Sequence, residues 1–178
     1  SVTRTAWQLG AAPHAHHIGA RRQGKSDSIG ARKPPISEFD DSALHMTPFP
    51  EPLGGERHEY RWRGHRVCYT RRGSGTPLVL VHSIHAAAWS MEWRHVIGDL
   101  ADRHVVFAID LLGFGPSERP ALHYTSQLYV ELITDFLREI VRAPASIVGS
   151  SLGGTYAVRV AALHPELVRS VSAIGPAG

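Results

Sequence analysis

The sequence predicts an α/β domain, a mostly parallel sheet with helices on its faces, entered through an antiparallel hairpin. Three observations predict it. From residue 77 onward, short apolar runs alternate with segments of helical period. Residues 78–81 (Leu-Val-Leu-Val) and 104–109 (His-Val-Val-Phe-Ala-Ile) are rich in β-branched and apolar side chains, as strands covered on both faces must be. Residues 149–153 (Gly-Ser-Ser-Leu-Gly) join such a run to a helix-compatible segment, so a tight strand–turn–helix junction is expected there.

The elements follow in chain order. Residues 1–55 read as an irregular basic tail, with clustered His, Arg and Gly, then Pro34, Pro35, Pro48 and Pro50, and no sustained period. Arg4, Arg21, Arg22, Lys25, Arg32 and Lys33 precede most of its acids, so a disordered tail is expected, with a transit-like leader as the alternative. His14, His16 and His17 have no Cys or carboxylate partners at ligand spacing, and no metal site is expected from them. Folded structure is expected from near Glu56, so that residues 56–178 form the domain. Tyr60 to Trp62 and Val67 to Tyr69 flank Arg63-Gly64-His65 as a hairpin. The strand at 78–81 ends in His82-Ser83-Ile84-His85. Ser90 is placed to cap a helix whose apolar positions are Trp93, Val96, Ile97 and Leu100. The strand at 104–109 ends at Asp110, and a loop with Gly113, Gly115 and Pro116 runs to Pro120. Thr125 or Ser126 starts a second helix that presents Leu128, Leu132, Ile133, Phe136, Leu137 and Ile140 on one side. The strand from Ala145, a third helix through about Leu163, a stop at His164-Pro165 and a last strand over 168–174 complete the series.

Composition excludes several function classes. The 178 residues are 43% apolar and 20% charged, ordinary values for a soluble globular domain. No apolar run is long enough to span a bilayer, so no membrane partner is expected. A net charge of +3 without any nucleic-acid-binding signature argues against nucleic acid. The lone Cys68 allows no internal disulfide and fits a reducing compartment, so a cytoplasmic location is expected.

In a parallel sheet the loops at the carboxyl ends of the strands carry the site. Residues 149–153, residues 82–84 and Asp110 all fall on that rim. Ser151 is the candidate nucleophile, placed on a tight turn, with Gly149 and Gly153 two residues to either side where a Cβ would block close approach of strand and helix. A bare G-x-S-x-G is weak evidence, and its strand–turn–helix context carries the weight. His82 reads first as a histidine packed under its loop, and Asp110 as a loop-holding acceptor.

Four stretches, in matching order and spacing, resemble the α/β-hydrolase fold family. Residues 79–82 resemble its strand-3 ending, and 110–120 (Asp-Leu-Leu-Gly-Phe-Gly-Pro-Ser-Glu-Arg-Pro) its strand-4 loop. Residues 148–154 resemble its nucleophile elbow, and 164–168 the entry to strand 6. The resemblance covers roughly residues 58–178 and implies the N-terminal part of that fold, truncated after about strand 6. It also implies serine hydrolase chemistry without a cofactor, on a small-molecule ester or similar acyl substrate. Ser151 Oγ would attack the carbonyl. The backbone N–H of Leu152 and one just after strand 3, Ile84 or else Ser83, would bind the oxyanion. Ser83 departs from the pattern, which more often has Gly there.

In this family the acid and the histidine follow the serine. After Ser151 come only Glu166 and His164, both on the stretch leaving the third helix and expected at the far end of the sheet. A triad is therefore incomplete here. The chain is read as a piece of a longer hydrolase, as a truncated inactive product, or as a half completed by a second chain. A non-catalytic binding protein of the same fold is the rival to the enzyme.

Overall fold

The computed structural model describes residues 51–177. The basic tail up to residue 50, with His14, His16 and His17, lies outside the described residues.

Six strands form one sheet in the order β1-β2-β4-β3-β5-β6. They are β1 (Glu56–Trp62), β2 (His65–Arg72), β3 (Thr76–Val81), β4 (His104–Asp110), β5 (Ala145–Ser150) and β6 (Val168–Ile174). The pairs β1/β2 and β2/β4 are antiparallel, and β4/β3, β3/β5 and β5/β6 are parallel. This is the mostly parallel sheet with a leading hairpin that the alternation predicts. The hairpin closes through Arg63 and Gly64, both at positive φ (50° and 86°), while Trp62 pairs with His65. Two consecutive positive φ values match the right-handed twist of the strands they join.

Why β3 is apolar at every position is plain from its two faces. Val79 and Val81 join a core with Phe107, Ile109 and the helix residues Ile133, Phe136 and Val160. Leu78 and Leu80 point the other way, into a second cluster with Leu53, Trp93, Ile97 and Val106. Each such side chain removed from water contributes roughly 2 kcal/mol. Leu53, ahead of β1, is already buried, and its carbonyl accepts from Arg72 Nη1 at 2.7 Å.

On the first face lie α2 (Ser126–Phe136) and α3 (Leu152–Leu163). Thr125 caps α2, its Oγ1 accepting the Leu128 N–H at 3.1 Å. The helix ends in one wider turn, Leu137–Val141, closed by Arg142 at φ 57°.

The first predicted helix takes a different form. Ser90–Trp93 is a 3-10 turn, and α1 (Ile97–Ala101) is only five residues long. Ser90 does not cap it. The Ser90 N–H donates to Asp110 Oδ1 at 2.8 Å, and Val96, expected on the apolar face, is 44% exposed. A tertiary acceptor at Asp110 sets where the segment starts. So short a helix is held by packing of Trp93 and Ile97 rather than by its own propensity. Among the described residues, no helix is long and apolar enough to cross a membrane.

Candidate active site

Ser151 stands between the end of β5 and the first residue of α3, with φ 52° and ψ −124°. A side-chain-bearing residue rarely adopts that conformation, and holding it costs of order 1–3 kcal/mol. The surroundings impose it. The Ser151 N–H donates to the carbonyl of Ile174 at the end of β6, at 2.9 Å. A Cβ on Gly149 would press on the Gly153 backbone, and one on Gly153 would overlap the carbonyl oxygen of His82. Gly149 is therefore needed for β5 and α3 to meet so closely, and Gly153 for α3 to approach the end of β3.

The loop after β3 is clamped from two sides. His82 is fully buried; its Nδ1 donates to the Ser83 carbonyl at 2.6 Å, and its Nε2 accepts the Leu111 N–H at 3.1 Å. That pair of bonds requires the neutral ring with its proton on Nδ1. Burial, above all, pushes its pKa down to about 4. Ser83 N–H and Oγ both donate to Glu92 Oε2, each at 2.9 Å. The Ser83 N–H is thereby occupied. The Ile84 and Leu152 N–H groups have no hydrogen-bond acceptor among the described residues.

Ile84 and Leu152 line one cavity of about 360 Å³, walled further by Phe114, Tyr124, Tyr129 and Tyr156. The Tyr129 hydroxyl donates to the Leu112 carbonyl at 3.1 Å and that of Tyr124 to the Pro120 carbonyl at 2.8 Å. Tyr129 and Tyr156 stack with centroids 5.5 Å apart. With their hydroxyls engaged, Tyr124 and Tyr129 offer the cavity chiefly ring surface.

Asp110 is buried at the end of β4, where it accepts from Ser90. Burial outweighs that bond and raises its carboxyl pKa to about 6. The geometry is the loop-holding role read from the sequence. His164 and Glu166 pair with each other at 3.6 Å, beside Arg138. They precede Val168, which faces Ala145 at the start of β5, whereas Ser151 follows Ser150 at its end. A strand of seven residues separates the two levels, roughly 20 Å. Neither residue reaches Ser151.

Sequence reasoning missed two features. Glu92 carries no periodic signal, and only the folded loop brings it to Ser83, nine positions earlier. The tyrosine wall comes from a loop and two helices, so spacing along the chain does not reveal it.

The profile of the alpha/beta hydrolase fold family matches residues 76–177, more than half of the chain. The chain belongs to that family. Among curated relatives it is similar to the 2-hydroxy-6-oxo-6-(2'-aminophenyl)hexa-2,4-dienoic acid hydrolase of Metapseudomonas resinovorans, 38% identical over 65% of this chain and 40% of that protein. It is likewise similar to the 2-hydroxymuconate semialdehyde hydrolase of Pseudomonas sp. (strain CF600), 39% identical over 60% of this chain and 38% of the relative. Of solved structures, a serine hydrolase involved in carbazole degradation superposes with a TM-score of 0.67 at 35% identity, covering 70% of this chain and 49% of that one. The match thus spans about two fifths of the length of the curated relatives.

Proposed function

We propose that this chain carries the nucleophile half of a serine hydrolase acting on a small-molecule acyl compound. The observation that carries the proposal is the backbone of Ser151, a non-glycine residue at φ 52° whose N–H is tied to β6 and whose carbonyl is tied to α3. Strain of this kind persists where the surroundings over-determine it, and it concentrates at functional sites. In the proposed reaction Ser151 Oγ attacks a carbonyl carbon while a histidine takes its proton. The tetrahedral oxyanion accepts from the N–H groups of Leu152 and Ile84, which are free to donate. Ser83 is unsuited to that task because Glu92 already holds its N–H.

Neither His82 nor His164 is placed to act as that base. His82 has both ring nitrogens engaged, and His164 lies at the opposite end of the sheet. No acid or base is therefore assigned among the described residues, and the chain alone is expected to turn over no ester. As to the substrate, the compounds in the two relatives' names are a hydroxy-oxo-dienoic acid and a muconate semialdehyde. Neither name contains an ester. That, with the aromatic cavity wall, favours a conjugated ketone or aldehyde, cleaved at the bond beside its carbonyl, with simple esters as weaker substrates.

The test is labelling with a fluorophosphonate, followed by assay of the whole protein on p-nitrophenyl esters and on a conjugated oxo-dienoic acid. Labelling and turnover that both vanish in Ser151→Ala support the reading. An unlabelled but ligand-binding protein points to the non-catalytic alternative, and activity that survives Ser151→Ala overturns the assignment.

A further inference from the structure

We propose that Glu92 is a positioning residue for the oxyanion site, a role that rests on the nucleophile reading of Ser151 given above. Its carboxylate accepts from both Ser83 N–H and Ser83 Oγ at 2.9 Å, on the loop after β3. Ser150, the residue directly before Ser151, acts on the same carboxylate and favours its ionised form. One side chain therefore holds the segment that supplies the Ile84 N–H by two bonds and lies within electrostatic reach of the residue before Ser151.

The direction of the Ile84 N–H follows from peptide geometry. In a planar trans peptide the C=O and the following N–H point opposite ways. The Ser83 carbonyl is held by His82 Nδ1 at 2.6 Å, so the Ile84 N–H is aimed away from His82. On the other side of Ser83, Glu92 holds the N–H. Both peptides flanking Ser83 are thus fixed, one by a buried histidine and one by a carboxylate. This also gives the Ser at position 83 a use that a glycine lacks: its hydroxyl adds a second bond to Glu92.

Charge is consistent with that role. A bare carboxylate near a developing oxyanion would oppose it. Here two Ser83 donors occupy the carboxylate; burial works against its ionised form, yet Ser150 and Ser83 prevail and hold it below the usual carboxylate range. Glu92 stays ionised, an acceptor rather than a proton carrier.

The experiment uses the whole protein with Glu92→Ala, Glu92→Gln and Ser151→Ala, each checked by thermal unfolding. Glu92→Ala is expected to lower kcat about 10- to 100-fold with KM changed less than about threefold, because donors that act only on the oxyanion stabilise the transition state alone. Glu92→Gln retains an acceptor for Ser83 and is expected to recover most of kcat. No new ionisation is expected in the pH profile of either variant. In Glu92→Ala the Ser83 amide should also exchange its hydrogen faster, a readout independent of turnover. An unchanged kcat for a folded Glu92→Ala protein, in which Ser151→Ala is dead, overturns the positioning role and leaves the nucleophile intact. So does a Glu92→Ala loss that appears in KM only. A protein whose activity survives Ser151→Ala takes both readings down.

Discussion

Ser151 pays for its position in backbone strain, and that is measurable. Glycine relieves positive φ without a steric penalty, while alanine does not. Ser151→Gly should therefore be more stable than Ser151→Ala by about 1 kcal/mol, read from urea unfolding midpoints. Equal stabilities would mean that the turn is relaxed. Two buried titrating residues on the same rim work against each other. His82 has a native pKa near 4, below its ordinary 6.5, so the unfolded chain takes up the proton first. Stability from His82 is present above 6.5 and is lost as pH falls through about 4, by up to about 3 kcal/mol. Asp110 has the opposite sign: its native pKa near 6 exceeds the ordinary 3.8, so its contribution is greatest below 3.8 and is lost as pH rises through 6. Between about pH 4 and 6 the two slopes offset each other. Asp110→Asn keeps an acceptor for Ser90 and removes one slope. Its stability should then fall more steeply than that of the unsubstituted chain, by about 1.4 kcal/mol per pH unit over that window. Parallel curves in denaturant titrations at several pH values would count against a buried, titrating Asp110.

At the scale of elements, the junction of β5 with α3 depends on close approach rather than on turn freedom. A Cβ at Gly153 meets the carbonyl oxygen of His82, which is backbone and cannot swing aside. Gly153→Ala should cost about 3 kcal/mol and displace the loop that carries Ile84. Gly64 in the hairpin is the contrast, with φ 86° and nothing within 4 Å of its Cβ position. Gly64→Ala should cost only about 1 kcal/mol, the left-handed backbone penalty alone. If the two substitutions prove equally costly in unfolding experiments, the steric account of the elbow is wrong. The strands and α2 were legible because their apolar periods match how they are buried. The segment at 90–101 was not, since its start answers to Asp110, twenty positions away, and not to its own capping signal.

For the whole molecule, β6 is one of the two edges of the sheet among the described residues, and it is half open to solvent. Its last residue, Ile174, is 56% exposed, and on α3 Leu163 is 56% and Val158 49% exposed. An open strand edge next to apolar side chains invites self-association. The chain expressed alone should run as oligomers or aggregate in light-scattering chromatography, and Val158→Lys with Leu163→Lys should raise the monomer fraction. A clean monomer without those changes would show that the edge is harmless.

The sequence by itself determined the strand–helix alternation, the sheet with its hairpin, and the junction at Ser151, because local period and glycine spacing are properties of neighbours along the chain. It also located the loops at 82–84 and 110–120 on one rim, since parallel strands bring their carboxyl ends together. Only the tertiary structure decided which backbone donors are free. Ser83 and Ile84 are adjacent and chemically equivalent as N–H groups, and the choice between them depends on Glu92 and His82 meeting that loop in space. Hydrogen-bond direction is set by partners from other elements, and no spacing rule along one strand encodes it.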